Sequence, residues 1–324
     1  MTTHRERIQA AIKGETIDRP PVALWRHFPV DDQIPQSLAE AHLNYQQNYD
    51  FDLMKVTPAS SFCLKDWGVE DEWVGDTEGT RRYTRRIIQS PEDWEALPVL
   101  EPTSHHLAEQ LECLRLIRTR LSPDTPLLQT IFSPLAQAKN LAGNDLLLEH
   151  LRHHPNSVLK GLKTIAETTR LFIEAARATG IDGIFYAVQH AQKQFLSYEE
   201  YKVFGLLFDR ETIEPAGDLW CKMLHLHGQQ VHFELAAELP FQVVNWHDRE
   251  TPPTLSEAHQ FFKGITCGGM RQGTIVYRDA DEVRKEAADA IQQTGGKSFL
   301  LGTGCVVPVI ASHGNLLAAR SSVE

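Results

Sequence analysis

Residues Pro155–Ala187 read PNSVLKGLKTIAETTRLFIEAARATGIDGIFYA, a helix and a strand joined by a glycine. Leu162, Ile165, Thr169, Phe172 and Ala176 recur at three- and four-residue intervals, which places them on one face of a helix from Pro155 to Thr179. Gly180 stops that helix. Gly183–Ala187 (GIFYA) then follows as a continuous apolar run, as a strand buried on both faces requires.

The same alternation extends in both directions. Pro21–Trp25, Phe51–Val56, Leu127–Phe132, Gly183–Ala187, Lys222–Leu226, Val243–Trp246, Ile265–Gly268 and Ser298–Gly302 are eight such runs. Helical stretches separate most of them, including Asp279–Gln293 with Val283, Ala287 and Ile291 at helical spacing. Alternating strand and helix implies a parallel sheet, and eight units predict a single α/β domain, a (β/α)8 TIM barrel, over residues 1–324. The charged N-terminus, MTTHRERIQAAIKGE, predicts a short surface helix rather than a secretory signal. Residues 62–100, with Trp67-Gly68 and TRRYTRRIIQ, interrupt the rhythm and predict a hairpin or flap inserted after the second strand. Such an insertion serves either as part of a lid or as a purely structural excursion.

Composition narrows the function. A net charge of −11 with no compensating basic block argues against nucleic acid. No run approaches the eighteen apolar residues of a membrane span. Five scattered cysteines, an odd number, argue against a disulfide framework and for a reducing, cytoplasmic setting.

Barrel enzymes place their chemistry where the strands end, at the C-terminal mouth. His225 and His227, in MLHLHG, lie two apart and so share one side of a strand. Paired histidines of this kind either hydrogen-bond or bind a zinc ion. Cys305, in LLGTGCVVP, reaches the mouth after the last strand and completes a plausible zinc set of two imidazoles and a thiolate. Cys267, in TCGGM, is either a fourth ligand or a packing residue, and a water is the other candidate for that position. Asn245-Trp246-His247-Asp248 ends the sixth strand. There His247 and Asp248 are candidates for acid–base catalysis, with Asp248 orienting His247, and Trp246 is a candidate for substrate contact. Gln189-His190 ends the fourth strand, offering Gln189 to a polar substrate and His190 to catalysis. Arg26 can pair with a carboxylate or phosphate. For each of these a structural hydrogen bond is the competing explanation.

Several segments taken in order resemble the uroporphyrinogen decarboxylase superfamily. They are Asp18–Trp25 (DRPPVALW), Phe51–Pro58 (FDLMKVTP), Trp67–Glu70 (WGVE), Phe132–Gly143 (FSPLAQAKNLAG), Ala178–Phe185 (ATGIDGIF), Asn245–Ala258 (NWHDRETPPTLSEA), Gly268–Met270 (GGM), Leu300–Pro308 (LLGTGCVVP) and Gly314–Arg320 (GNLLAAR). The resemblance implies one of two chemistries. One branch removes carboxyl groups from a porphyrinogen without a metal. The other uses zinc to move methyl groups between a corrinoid and a thiol or another acceptor.

This sequence departs from the decarboxylases at four places. WRHFP replaces RQAGR and leaves only Arg26; Leu53 stands at the aspartate position, with Asp52 one place away; Asn140 replaces a tyrosine; and Thr303 replaces a histidine. It matches the His-x-Cys and late cysteine of the methyltransferases at His225 and Cys305, with His227 in place of the first cysteine. The resemblance therefore implies zinc on His225, His227 and Cys305, and methyl transfer to or from a corrinoid on a partner protein. It also implies a homodimer. Decarboxylation of a carboxylated substrate, with Asp52 or His247 as proton donor, is the alternative, and a barrel that binds without catalysis is a third.

Overall fold

The computed structural model describes residues 2–324. Its nine strands are β1 (Met54–Val56), β2 (Glu70–Glu72), β3 (Arg82–Arg85), β4 (Leu127–Phe132), β5 (Gly183–Val188), β6 (Met223–Leu226), β7 (Val243–Trp246), β8 (Ile265–Met270) and β9 (Phe299–Thr303). Seven of them form one parallel sheet in the order β1-β4-β5-β6-β7-β8-β9. Every residue of these seven strands is buried, as their apolar runs require. The sheet curls, and the fold is of the TIM-barrel kind.

The expected first strand, Pro21–Trp25, is not a regular strand. It makes one parallel bridge, Val22 to Leu301. Leu301 N donates to Pro21 O and Ala23 N to Leu301 O, while on the other side Asp52 N donates to Val22 O. The segment thus spans from β9 toward the start of β1. Pro20 and Pro21 lack the N–H groups that a longer ladder needs, which accounts for its shortness.

The diagnostic helix forms over Pro155–Arg177, and Leu162, Ile165, Thr169, Phe172 and Ala176 are all buried on it. Gly180 follows at φ 87°, a value that favours glycine. The helix at Ala280–Thr294 starts on the Asp279 carboxylate, which accepts from the N–H groups of Asp281 and Glu282. Within 62–100, β2 and β3 pair as an antiparallel hairpin carrying Glu70–Arg85 and Glu72–Arg82 ion pairs. Among the described residues no helix is long and apolar enough to cross a membrane.

The N-terminal helix, His4–Lys13, does more than lie on the surface. Ile8 and Ala11 enter the core, and its polar residues close the N-terminal end of the sheet around Asp52. That carboxylate is fully buried and accepts from His4 Nδ1 at 2.8 Å, Arg7 Nη1 at 2.6 Å, Arg19 Nη1 at 2.7 Å and Val22 N at 2.8 Å. Asp52 is therefore at the end opposite the strand termini that carry chemistry, and the expectation that it donates a proton there is corrected. Burial alone would raise its pKa. Hydrogen bonds from His4 and Arg19 and the charge of Arg19 outweigh burial and pull it down to about 2.

Replacing Asp52 by Ala leaves the buried Arg7 and the partly buried Arg19 without their shared anion, and should cost about 3–5 kcal/mol in urea unfolding at neutral pH. Because its folded pKa lies below the unfolded value, the wild-type advantage is fully present above pH about 4 and shrinks as pH falls toward about 2. An unchanged denaturation midpoint in Asp52→Ala would contradict this role.

Candidate functional site

A cavity of about 350 Å3 opens where the strands end, within the range of enclosed ligand sites. Trp25, Lys55, Phe132, Phe185, His225 and Cys305 are among its lining residues. A larger, more open hollow of about 930 Å3 lies at the opposite end, around Arg7, Asp18, Arg19, Asp50 and Arg320. Those five residues already pair with one another or with Asp52, and so offer an incoming ligand little.

His225 faces the cavity from β6, and Asn245 sits directly beside it in register on β7. His227 continues the ladder one residue past β6, its N–H donating to Val188 O. Gly228 turns the chain there at φ 97°, where a Cβ would come within 2.4 Å of the Gln192 amide. The loop after β9 then brings Cys305 across. Gly304 makes this approach possible, since a Cβ on it would lie 2.7 Å from His247 Cα.

Cys305 Sγ stands 3.7 Å from His225 Nε2 and 3.7 Å from His227 Nδ1. His247, from just beyond β7, joins them, and one donor atom from each of His225, His227, His247 and Cys305 lies within 4.8 Å of all the others. The structure thus brings together the three residues expected as metal ligands and adds His247, expected as an acid or base. Cys267 stays outside this cluster, fully buried with its sulfur against Gly302.

The tautomer of His225 follows from its neighbours. Asn245 Nδ2 donates to Cys267 O and to Thr303 O, both at 3.0 Å, which fixes the amide and turns Oδ1 toward His225. That oxygen can only accept, so His225 Nδ1, 2.7 Å away, carries the proton and Nε2 presents its lone pair to the cluster. The ring also stacks on Phe185, with centroids 5.1 Å apart and planes 27° from parallel. On His247, Nδ1 faces Glu250 at 3.5 Å, and Nε2 is buried without a hydrogen-bond partner.

Electrostatics match this geometry. Burial, followed by the neighbouring imidazoles, holds His225 far below the usual histidine range and His227 at about 3. Burial also lowers His247, against the opposing pull of Glu250. All three rings are therefore neutral donors at pH 7. Burial pushes the Cys305 thiol up to about 12, so it ionises only beside a cation.

The other expected site residues scatter. Gln189 lines the cavity with a buried Oε1 that has no partner. His190 Nε2 meets Asn144 Oδ1 at 3.0 Å, and its ring stacks on Phe195. Arg26 lies over Phe28 and reaches Val309 O, while its neighbours Trp25 and His27 line the cavity. Trp246 is fully buried, edge-on to Phe233, its indole donating to Pro253 O. Asp248 accepts from Gly269 N at 3.1 Å instead of orienting His247, and burial lifts it to about 7. Strand alternation explains the split, since Asn245 and His247 face one side and Trp246 and Asp248 the other.

Sequence reasoning missed Lys55, Lys139, Arg86, Asn245 and Glu250. Lys55 had a visible signal, a single cation inside the apolar run FDLMKV, and Asn245 interrupts VVNW in the same way. Lys139, on the helix Pro134–Ala142, and Arg86 come to the cavity only through tertiary packing.

No curated protein matches the chain. Among solved structures, a methyltransferase from Methanosarcina mazei superimposes with a TM-score of 0.86 at 17% identity, covering 99% of this chain and 98% of that one. A B12-independent methionine synthase from Shewanella sp. W3-18-1 gives a TM-score of 0.59 at 15% identity, over 93% of this chain and 91% of that one. A putative vitamin-B12-independent methionine synthase from Listeria monocytogenes gives 0.59 at 9% identity, over 94% of each. At these identities the likeness is one of fold. Residues 3–324 match the family described as Uroporphyrinogen decarboxylase (URO-D), and the chain belongs to that family.

Proposed function

We propose that the chain is a zinc-dependent methyltransferase, exchanging a methyl group between a small methylated substrate or thiol and a corrinoid carried on a separate protein. The approach of Cys305 to His225 and His227 carries this reading. With Zn–S near 2.3 Å and Zn–N near 2.05 Å, a tetrahedral site separates sulfur from nitrogen by about 3.6 Å. Both observed separations are 3.7 Å. Two neutral imidazoles with one thiolate suit this ion and leave its fourth position to substrate, beside the partnerless Nε2 of His247. One solved relative is named a methyltransferase and two are named methionine synthases, in keeping with methyl chemistry.

Bound zinc would supply Lewis acidity, lowering the pKa of a thiol or polarising the heteroatom that bears the methyl group. The chain's own residues prepare the site. Asn245 holds the His225 proton on Nδ1, and Glu250 draws the His247 proton to Nδ1 in the same sense. Trp25, Phe132 and Phe185 wall the cavity with apolar surface and exclude water, while Gln189 offers an acceptor to the substrate. In this reading residues 21–25 act as the eighth strand of a single (β/α)8 barrel domain. The hairpin of residues 70–85 is a flap at its mouth, since Arg81 and Tyr83 reach the cavity wall. The protein works in the cytoplasm, where its five thiols stay reduced.

Decarboxylation of a porphyrinogen fits less well. The cavity is at the small end for an enclosed ligand, and Asp52 is locked at the far end of the sheet. Uroporphyrinogen should be returned unchanged.

Protein purified without chelator should hold about one zinc per chain by elemental analysis. Cys305→Ala should lose both the zinc and methyl transfer from methylcobalamin to a thiol. Zinc-free wild-type protein, or an active Cys305→Ala, would refute the proposal. Asn245→Ala should weaken zinc binding about 10–100-fold in a chelator competition by freeing the His225 ring. Unchanged affinity there would show that the amide clamp does not matter.

A further inference from the structure

The hairpin beside the cavity is fastened to the rest of the fold by a few polar contacts. Its strands, β2 and β3, are mostly exposed, as are Trp73 and Val74 next to them. On its inner side, Val309 N donates to Thr77 O at 2.7 Å. Gln272 Nε2 donates to Glu78 Oε1 at 3.2 Å and to Val306 O, beside Cys305, at 2.6 Å. Gly79 packs so closely that a Cβ on it would come within 2.6 Å of the His27 Cβ. Glu78 and Tyr83 line the same cavity as Cys305, which is only 9% exposed.

The charged contact among these is out of balance. Arg81 Nη1 donates to Pro29 O at 2.9 Å and faces Asp32 Oδ1 at 3.4 Å, both outside the hairpin. Within the hairpin, Arg81 Nε donates to Asp71 Oδ1 at 2.6 Å. One guanidinium therefore serves two carboxylates, and neither carboxylate has any exposed surface. The second oxygen of each, Asp32 Oδ2 and Asp71 Oδ2, is buried without a hydrogen-bond partner. Lys65 does not relieve them, since its Nζ donates to Gln33 Oε1 at 2.7 Å. Burial raises the pKa of Asp32, against the pull of Gln33 and Arg81. A buried carboxylate oxygen with no partner carries a desolvation cost that water would remove. Lifting the hairpin would leave Arg81 and Asp71 on it as a neutral pair and return Asp32 to solvent.

We infer that the hairpin is a moving lid, held shut by a weak clasp of Arg81 on Pro29 and Asp32, and that it lifts to expose Cys305 and the imidazoles around it. Shut, it closes a cavity of about 350 Å3 over a small substrate and keeps water away. Lifted, it gives a bulky reaction partner carried on another protein its access. Segments that open in this way are drawn from the least stable parts of a fold, with few buried apolar contacts, as this hairpin is. The surplus carboxylate keeps the closed state from becoming a trap. The purpose of the motion rests on the preceding proposal, whereas the motion itself depends only on the clasp.

Alkylation of Cys305 by iodoacetamide in metal-free protein, read by peptide mass spectrometry, follows the lid without needing zinc. With the lid shut the thiol is buried and held protonated, so it reacts while the lid is up. Arg81→Met removes the clasp, and Gly79→Ala props the hairpin off His27. Each should speed alkylation at least about fivefold. Asp32→Asn removes the surplus charge and should slow it severalfold. Arg82→Met, on the same strand but in an exposed ion pair with Glu72, should leave the rate unchanged. Cys113, Cys221 and Cys267 are fully buried and should stay unmodified throughout, which reports that each variant is folded. If Arg81→Met exposes them, Gly79→Ala and Asp32→Asn decide the matter. Equal rates in wild type, Gly79→Ala and Asp32→Asn would overturn the lid, as would an acceleration in Arg82→Met equal to that in Arg81→Met. The expected order of rates in a protein that takes up no zinc would uphold the lid and defeat the methyl-transfer reading. Equal rates in a zinc-binding methyltransferase would do the reverse.

Discussion

The side chain of Asn245 ties together four strands. It projects from β7, donates to the backbone carbonyls of Cys267 on β8 and Thr303 on β9, and accepts from His225 on β6. With both amide protons committed, its oxygen has a single possible role, and that role sets which nitrogen of His225 faces the cavity. The amide is fully buried, so no water competes for these bonds. The donor cluster at the strand ends inherits its geometry from this clamp. The Thr303 carbonyl that Asn245 holds is two residues before Cys305, and Gly304 between them packs against the backbone of His247.

The two ends of the sheet divide the work. At the N-terminal end one buried carboxylate, Asp52, gathers two arginines, a histidine and a backbone N–H, and every charge is matched. At the C-terminal end the balance is left open. Neutral imidazoles, a thiol held protonated by burial and unpaired ammonium groups surround one cavity. A satisfied network holds structure, whereas an unsatisfied one is costly until a ligand completes it. The contrast is what assigns the proposed chemistry to the smaller of the two hollows.

Much of the architecture could be read in the sequence because parallel strands buried on both faces have no polar phase to hide them. Seven of the eight expected runs became strands of the sheet within a few residues. The eighth failed for a local reason, two prolines without N–H groups at its start. At the site, His225, His227 and Cys305 could be picked out because strand alternation and a position after the last strand point them inward. The same alternation, applied one strand further, would have joined His247 to them and set Asp248 and Trp246 aside. Glu250 and Lys139 depend on how a loop and a helix fold back on the sheet, and no periodicity encodes that. Arg26 shows the converse limit. Its position suited substrate binding, but its guanidinium settles over Phe28, and the residues on either side of it face the cavity.

Zinc K-edge X-ray absorption on protein purified without chelator tests the central claim most directly. The account predicts a first shell with a single sulfur near 2.3 Å and nitrogen donors near 2.0–2.1 Å, the sulfur disappearing in Cys305→Ala. A shell without sulfur, or a protein that takes up no zinc, would contradict it.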